Sequence, residues 1–210
     1  MNGGRMINEL TQLLTQTMWI RDGSRKGLAH ARSNIEIGLG ALDFMFPWSV
    51  YRWTNNFDGM DPEDVELTRL YCRSAMAGVW GMSTDLAQID PAQQRVIVKE
   101  IQRYRQLNLI KQDYLYDVQP PQEGDDTAAV TYYSADNNKA GVLLYRYDRE
   151  GAFNPKVRFK NLQPTSMYQV RDVDLASKTK MTGKNLMQKG VSVSFNSERL
   201  SAMLFLDPAP

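Results

Sequence analysis

Gln119-Pro120-Pro121-Gln122-Glu123-Gly124-Asp125-Asp126 divides this chain into two grammars. The stretch is polar and carries two prolines and a glycine, which is linker composition. On its amino-terminal side, helix-period segments alternate with short apolar runs, the pattern of a parallel sheet with crossover helices. On its carboxyl side the apolar period falls near two and the segments are short. Candidate strands there are 128–134, 141–147, 156–162, 167–172, 191–195 and 200–206. Asp136-Asn137-Asn138-Lys139 is a turn that pairs the first two as a hairpin. Six short strands with turn signals between them describe an antiparallel sandwich. The expected fold class is α/β followed by all-β, with domains at 1–117 and 127–208.

Residues 5–17 read as a helix, because Met6, Leu10, Leu13 and Leu14 share one face. Residues 18–22 form a short strand that ends Trp19-Ile20-Arg21-Asp22. A helix over 24–41 follows, with Leu28, Ala31, Ile35 and Leu39 at the 3.6 period. Asp22 therefore stands at the carboxyl end of a strand, the edge where open α/β sheets and α/β barrels carry their chemistry. Asp is also a favoured helix cap, and on the tetrapeptide alone capping is the plainer reading. The apolar run 42–46, closed by Pro47, reads as the next strand. The aromatic stretch 48–60 reads as an irregular loop, in which Trp48, Tyr51 and Trp53 either line a site or cover the sheet. Asp61-Pro62-Glu63-Asp64 opens a helix running to about 77, with Asp61 as cap and proline in the first turn. Val79–Ser83 is a further strand, and Asp90-Pro91-Ala92-Gln93 repeats the helix start.

Composition narrows the chemistry. The chain has 210 residues, one or two domains' worth, and a formal net charge of +1. That balance gives no electrostatic case for nucleic acid or an anionic membrane surface. No apolar run approaches the roughly 20 residues that span a bilayer, and no signal peptide is read. One cysteine, Cys72, forms no internal disulfide, and one histidine, His30, makes neither a metal site nor a Ser/His triad. His30 reads as a packed or solvated helix residue. No metal and no cofactor are expected, so catalysis would fall to carboxylates. The compartment stays open.

The amino-terminal part holds only three or four strands. A closed parallel barrel needs about eight strand–helix units and roughly 250 residues. Three or four leave a parallel edge to cover, by a second copy of the chain, by repacking, or by the rest of a longer protein.

Gly3-Gly4-Arg5, then Trp19-x-x-Asp22, then the helix to Phe46-Pro47 resembles the α-galactosidases of glycoside hydrolase family thirty-six, in the clan with melibiase-type enzymes. Arg73-Ser74-Ala75-Met76 followed by Trp80-Gly81-Met82 looks like that family's approach to its eighth barrel strand. Ile101 to Tyr116, with Tyr104, Leu109 and Asp113-Tyr114, is similar to the segment leading into its terminal domain. Asn161-Leu162-Gln163-Pro164, Tyr168-Gln169-Val170, Gly183-Lys184-Asn185-Leu186-Met187, Gly190-Val191 and Ser201-Ala202-Met203-Leu204 are similar to that domain's tail. The resemblance implies the carboxyl-terminal part of a (β/α)8 TIM-type barrel, strands five to eight, plus an antiparallel β-sandwich.

It also implies roles. A retaining glycosidase uses two carboxyl groups about 5 Å apart, one nucleophile and one acid/base. Asp22 matches the acid/base, which protonates the leaving oxygen and then deprotonates water. Asn2, Gly3 and Gly4 match the place where the sugar approaches the backbone closely, and Trp19 supports the wall of that substrate site. The substrate implied is an α-galactoside or a related oligosaccharide. Several parts of the pattern are missing: the nucleophilic Asp of a Lys-x-Asp strand, which would lie before Met1, the acidic residues of the first strands, the amino-terminal β-domain, and a cysteine before the glycines. Arg21 stands where the family has serine, and a cation close to Asp22 would depress its pKa. The expected activity is that of a fragment carrying the acid/base without the nucleophile, inactive alone. The alternative is a non-catalytic carbohydrate-binding or structural accessory module.

Overall fold

The computed structural model describes residues 18–19, 27–55, 57, 60–113, 115–119, 127–146 and 154–209. These fall into two compact units, one running to Tyr104 and the other from Arg105 onward.

The first unit is built on a three-stranded parallel sheet in the order β1 (Met18–Trp19), β2 (Val50–Asn55), β3 (Val79–Ser83). Helix α1 (Gly27–Ala41) connects the first pair and α2 (Val65–Met76) the second. Helix α3 (Pro91–Lys111) follows β3 after a short 3-10 turn at Leu86–Gln88. Trp19 lies beside Tyr51, and Tyr51 beside Val79, so β2 is the middle strand.

The run 42–46 is not a strand. Leu42 N–H donates to Leu39 O at 3.1 Å and Met45 N–H to Ala41 O at 2.8 Å, so the chain leaves α1 through tight helical turns. Leu39, Ala41, Leu42 and Met45 are buried, whereas Phe44 and Phe46 are exposed. The middle strand instead comes from the stretch read as an irregular loop. Its buried positions are Val50, Arg52 and Thr54, and two of those three are polar, which hides the period-two signal from hydropathy. Gly78 lets β3 start tightly against β2, because a Cβ there would collide with the Val50 carbonyl oxygen.

Helix α2 is capped by Asp64, whose carboxylate accepts from Leu67 N–H at 2.9 Å. Asp61, read above as the cap, instead closes a turn onto Glu63 N–H at 3.0 Å. Asp90 does open α3, accepting from Ala92 N–H at 2.7 Å. Helices α2 and α3 are joined by a buried charge cluster. Arg73 Nε lies 2.9 Å from Glu100 Oε2 and its Nη2 3.1 Å from Oε1, with both side chains wholly buried. Arg103 also bonds to Glu100, and Arg69 Nε is 3.7 Å away.

The second unit is a six-stranded antiparallel sheet. Its strands are β4 (Leu115–Gln119), β5 (Thr127–Tyr133), β6 (Ala140–Arg146), β8 (Met167–Asp172), β9 (Ser177–Thr182) and β11 (Ser201–Pro208), in the order β4-β5-β6-β11-β8-β9. The two-residue strands β7 (Lys156–Val157) and β10 (Val191–Ser192) pair antiparallel, and α4 (Gly183–Gln188) lies between β9 and β10. Val142, Leu144, Tyr168, Val170, Ala202 and Leu204 of the large sheet share one core with Val157, Phe159, Leu162, Leu186, Val191 and Phe195. The expected hairpin at Asp136 forms: Asp136 Oδ1 accepts from Asn138 N–H at 3.0 Å, and Asn137 takes a positive φ of 54°. The segments 156–162 and 191–195 are strands for only two residues each. Phe159, Leu162, Val193 and Phe195 are buried from irregular backbone instead. Strands β4 and β9 are additional to the expected strands. β9 is Ser-Lys-Thr-Lys-Met-Thr, exposed along most of its length at the sheet edge, where lysine suits an unpaired strand.

The sheet also carries a titratable core group. Lys111, in the last turn of α3, is buried with its Nζ 5.4 Å from the centroid of the Tyr132 ring. Burial lowers its pKa from 10.5 to about 7. Unfolding returns the amine to water, so between those two pH values the unfolded chain holds the extra proton. Stability therefore rises with pH across that window, and the cost of burying the cation is complete below it. Lys111→Met should raise the urea midpoint more below pH 7 than above pH 10.5. An equal rise at both ends would mean that Lys111 keeps its charge when folded.

Candidate functional site

The carboxyl edge of the parallel sheet is where the expected chemistry would lie. Asn2, Gly3, Gly4 and Asp22 lie outside the described residues. Trp19 is the last described residue of β1, and its backbone runs beside Tyr51 of β2. Asn55 and Ser83 end β2 and β3 side by side.

Register sorts the side chains of β2 and β3 into two faces. Arg52, Thr54 and Trp80 share the face on which Arg52 and Thr54 are buried. Trp80 Nε1–H donates to Thr54 Oγ1 at 3.2 Å. Tyr104 of α3 accepts from Trp80 N–H at 2.8 Å and donates to Gly78 O at 3.2 Å, which fixes the start of β3. Tyr51 and Trp53 point to the other face, with their rings edge to face at 6.0 Å. Both are partly exposed. The backbone at Trp53 is anchored from the helices: Asn34 Nδ2 donates to Trp53 O and to Ser74 Oγ, each at 3.3 Å.

Trp48, grouped with Tyr51 and Trp53 in the sequence, is separated from Trp53 by the length of the strand. It precedes β2, at the amino edge, and stacks on Phe46 with centroids 4.4 Å apart and planes at 9°. The signal that separates them is Val50-Tyr51-Arg52-Trp53-Thr54, an unbroken run of β-branched and aromatic residues around one arginine.

His30 and Cys72 are buried in the helical layer. The His30 ring lies 5.0 Å from that of Tyr71, and burial pushes the Cys72 thiol well above its ordinary value. Neither reaches the sheet edge as a reactive group. Among the described residues no three His, Cys, Asp or Glu side chains gather as a metal site, and no helix is long and apolar enough to cross a membrane.

Residues 127–206 match the glycosyl hydrolase family 36 C-terminal domain. No curated protein matches the chain. Among solved structures, an α-galactosidase AgaA variant of Geobacillus stearothermophilus in complex with raffinose is similar at 19% identity and a TM-score of 0.72. That match covers 85% of this chain and 24% of that one. The galactosidase domain of an α-galactosidase–sucrose kinase is similar at 18% identity and a TM-score of 0.71, over 85% of this chain and 25% of that one. The α-galactosidase of Lactobacillus brevis is similar at 16% identity and a TM-score of 0.69, over 86% of this chain and 25% of that one. The chain thus spans about a quarter of the length of these structures.

Proposed function

We propose that this chain, whose residues 127–206 are a family 36 C-terminal domain, is the carboxyl-terminal part of an α-galactosidase-like retaining glycoside hydrolase. In this reading residues 1–117 supply strands five to eight of a (β/α)8 barrel. Asp22 is the acid/base, Asn2, Gly3 and Gly4 receive the sugar, and Trp19 backs the site. The nucleophile comes from outside the chain. The observation that carries the reading is the parallel order β1-β2-β3 on the same chain as a match to the family 36 C-terminal domain. The substrate is an α-galactoside of the raffinose type, the sugar held by one of the similar structures. A second copy of the chain, or further barrel strands, covers the edge of the parallel sheet.

The chain alone should not hydrolyse an aryl α-galactoside. Expressed with the upstream part of its reading frame, it should hydrolyse raffinose. Asp22→Asn should then lower kcat/KM by about 10²–10⁴-fold, the usual weight of a general acid/base. On an aryl α-galactoside, whose phenolate leaves without a proton, azide should rescue the variant by attacking the glycosyl-enzyme without base help, giving a galactosyl azide of retained configuration. Turnover by the chain alone that vanishes on Asp22→Asn would overturn the division of the two carboxylates. So would an upstream frame with no Lys-x-Asp strand within about 60 residues, two strand–helix units. The stacked, exposed Phe46–Trp48 pair favours a second reading, an accessory carbohydrate-binding module. Glycan binding lost on changing Trp48 and indifferent to Asp22 would select it.

A further inference from the structure

We propose that Trp53 is the aromatic wall on which a sugar ring of the α-galactoside lies, indole face against the C–H face of the ring. The assignment rests on the hydrolase reading above and adds a binding residue to it. A galacto-configured pyranose gathers several C–H bonds on one face, because its axial hydroxyl points to the other. Such a face binds a flat aromatic ring and leaves the hydroxyls to polar partners.

Trp53 has the position and the rigidity for this. It stands two residues from the carboxyl end of β2, the middle strand of the parallel sheet. It points to the face opposite Arg52 and Thr54, and it is only partly buried. Its backbone carbonyl is tied to Asn34, which also holds Ser74, so both flanking helices position it. Tyr51, one step toward the amino edge on the same face, meets its ring edge to face at 73°. Across the register its neighbour is Gly81, which puts no side chain beside the indole. A Cβ on Gly81 would collide with the Tyr51 hydroxyl, so the phenol occupies that space and the glycine is required by the arrangement. The result is an indole met edge to face by the Tyr51 ring, which also fills the space over Gly81, on a backbone held by Asn34. Trp48 offers the contrast: it sits at the amino edge and already stacks on Phe46.

The test uses the intact chain, whose four tryptophans each give one indole N–H signal. Single substitutions assign the Trp48 and Trp53 signals. Raffinose is then titrated by nuclear magnetic resonance, alongside sucrose as a sugar without galactose. The Trp53 indole should shift saturably with raffinose and the Trp48 indole should stay in place. Trp53→Ala should weaken raffinose binding about tenfold or more, as removal of an aromatic anchor does, while Trp53→Phe retains most of it and Trp48→Ala all of it. Raffinose binding that leaves the Trp53 signal unmoved, or that survives Trp53→Ala, overturns the assignment. The hydrolase reading would then still stand, because it is tested on Asp22. An equal response to sucrose overturns the galactoside assignment, and absence of saturable binding by the unaltered chain overturns the wall itself.

Discussion

Replacing Glu100 with alanine is expected to lower the stability of the helical layer by about 3–5 kcal/mol, the usual cost of removing one partner of a buried ion pair. Arg73 and Glu100 are both wholly buried and meet through two parallel bonds of 2.9 and 3.1 Å. Arg103 and Arg69 converge on the same carboxylate. Arg69 and Arg103 are partly exposed, so they can turn to water when the carboxylate goes. Arg73 cannot, and its cation would remain in the interior without that counter-charge. Urea denaturation followed by hydrogen exchange at α2 and α3 amides should show a midpoint lower by about 1–3 M. Glu100→Gln should cost less, since the amide still accepts one bond. The double change Arg73→Met with Glu100→Leu should recover most of the loss, because an apolar pair of similar volume often replaces a buried ion pair without penalty. A shift below about 1 kcal/mol for Glu100→Ala would mean that the cluster is hydrated and worth no more than a surface pair.

Arg199→Met should produce the second large loss, of about the same size, in the β unit. Arg199 is buried over the ring of Phe195 and bonds in four directions. Its Nη2 reaches Asp172 Oδ1 at 2.8 Å and Asp174 Oδ2 at 3.1 Å, its Nη1 Ser194 O at 2.9 Å, and its Nε Ser201 O at 3.1 Å. One guanidinium thus ties the end of β8 to the start of β11 and to the chain after β10. Methionine would fill the volume but leave two carboxylates with side chains under 10% exposed facing no cation from that position. Exchange at β8 and β11 amides should quicken, and the urea midpoint should fall. Asp174→Asn, which keeps an acceptor for Arg199 and leaves Asp172 in place, should cost far less. Equal losses for Arg199→Met and Asp174→Asn would show that charge is not what the cluster contributes.

These clusters were invisible in the sequence, and the reason is physical. Arg73 and Arg199 are residue types that normally stay at the surface, and only a partner far along the chain brings them inside. Glu100 lies 27 positions from Arg73, and Asp172 27 from Arg199. What was legible was local. The Asp90-Pro91 helix start, the Val79–Ser83 strand and the Asp136 turn each carry their signal within four or five residues. The structure departs from expectation where local signals conflict. Pro47 made the turns leaving α1 look like a strand end, and Arg52 and Thr54 put polar side chains on the buried face of β2. β9 had no apolar residue before Met181 to announce it. The expected site at Asp22 rests on motif order rather than residue physics. Asp22 alone looks like a helix cap, and only Gly3-Gly4-Arg5 before it and Phe46-Pro47 after it suggest more. The separation of Trp48 from Trp53 required knowing which of them precedes the strand.

Strand β11 is the last strand of its sheet in chain order, yet it lies between β6 and β8. During synthesis the hairpins β5–β6 and β8–β9 therefore leave the ribosome with no middle to join them. Each presents an inner edge of unpaired backbone until residues 201–208 arrive. That interval is when another nascent chain could pair there in place of β11. A cut or frameshift just after Leu200 would remove the seam of the domain rather than a tail.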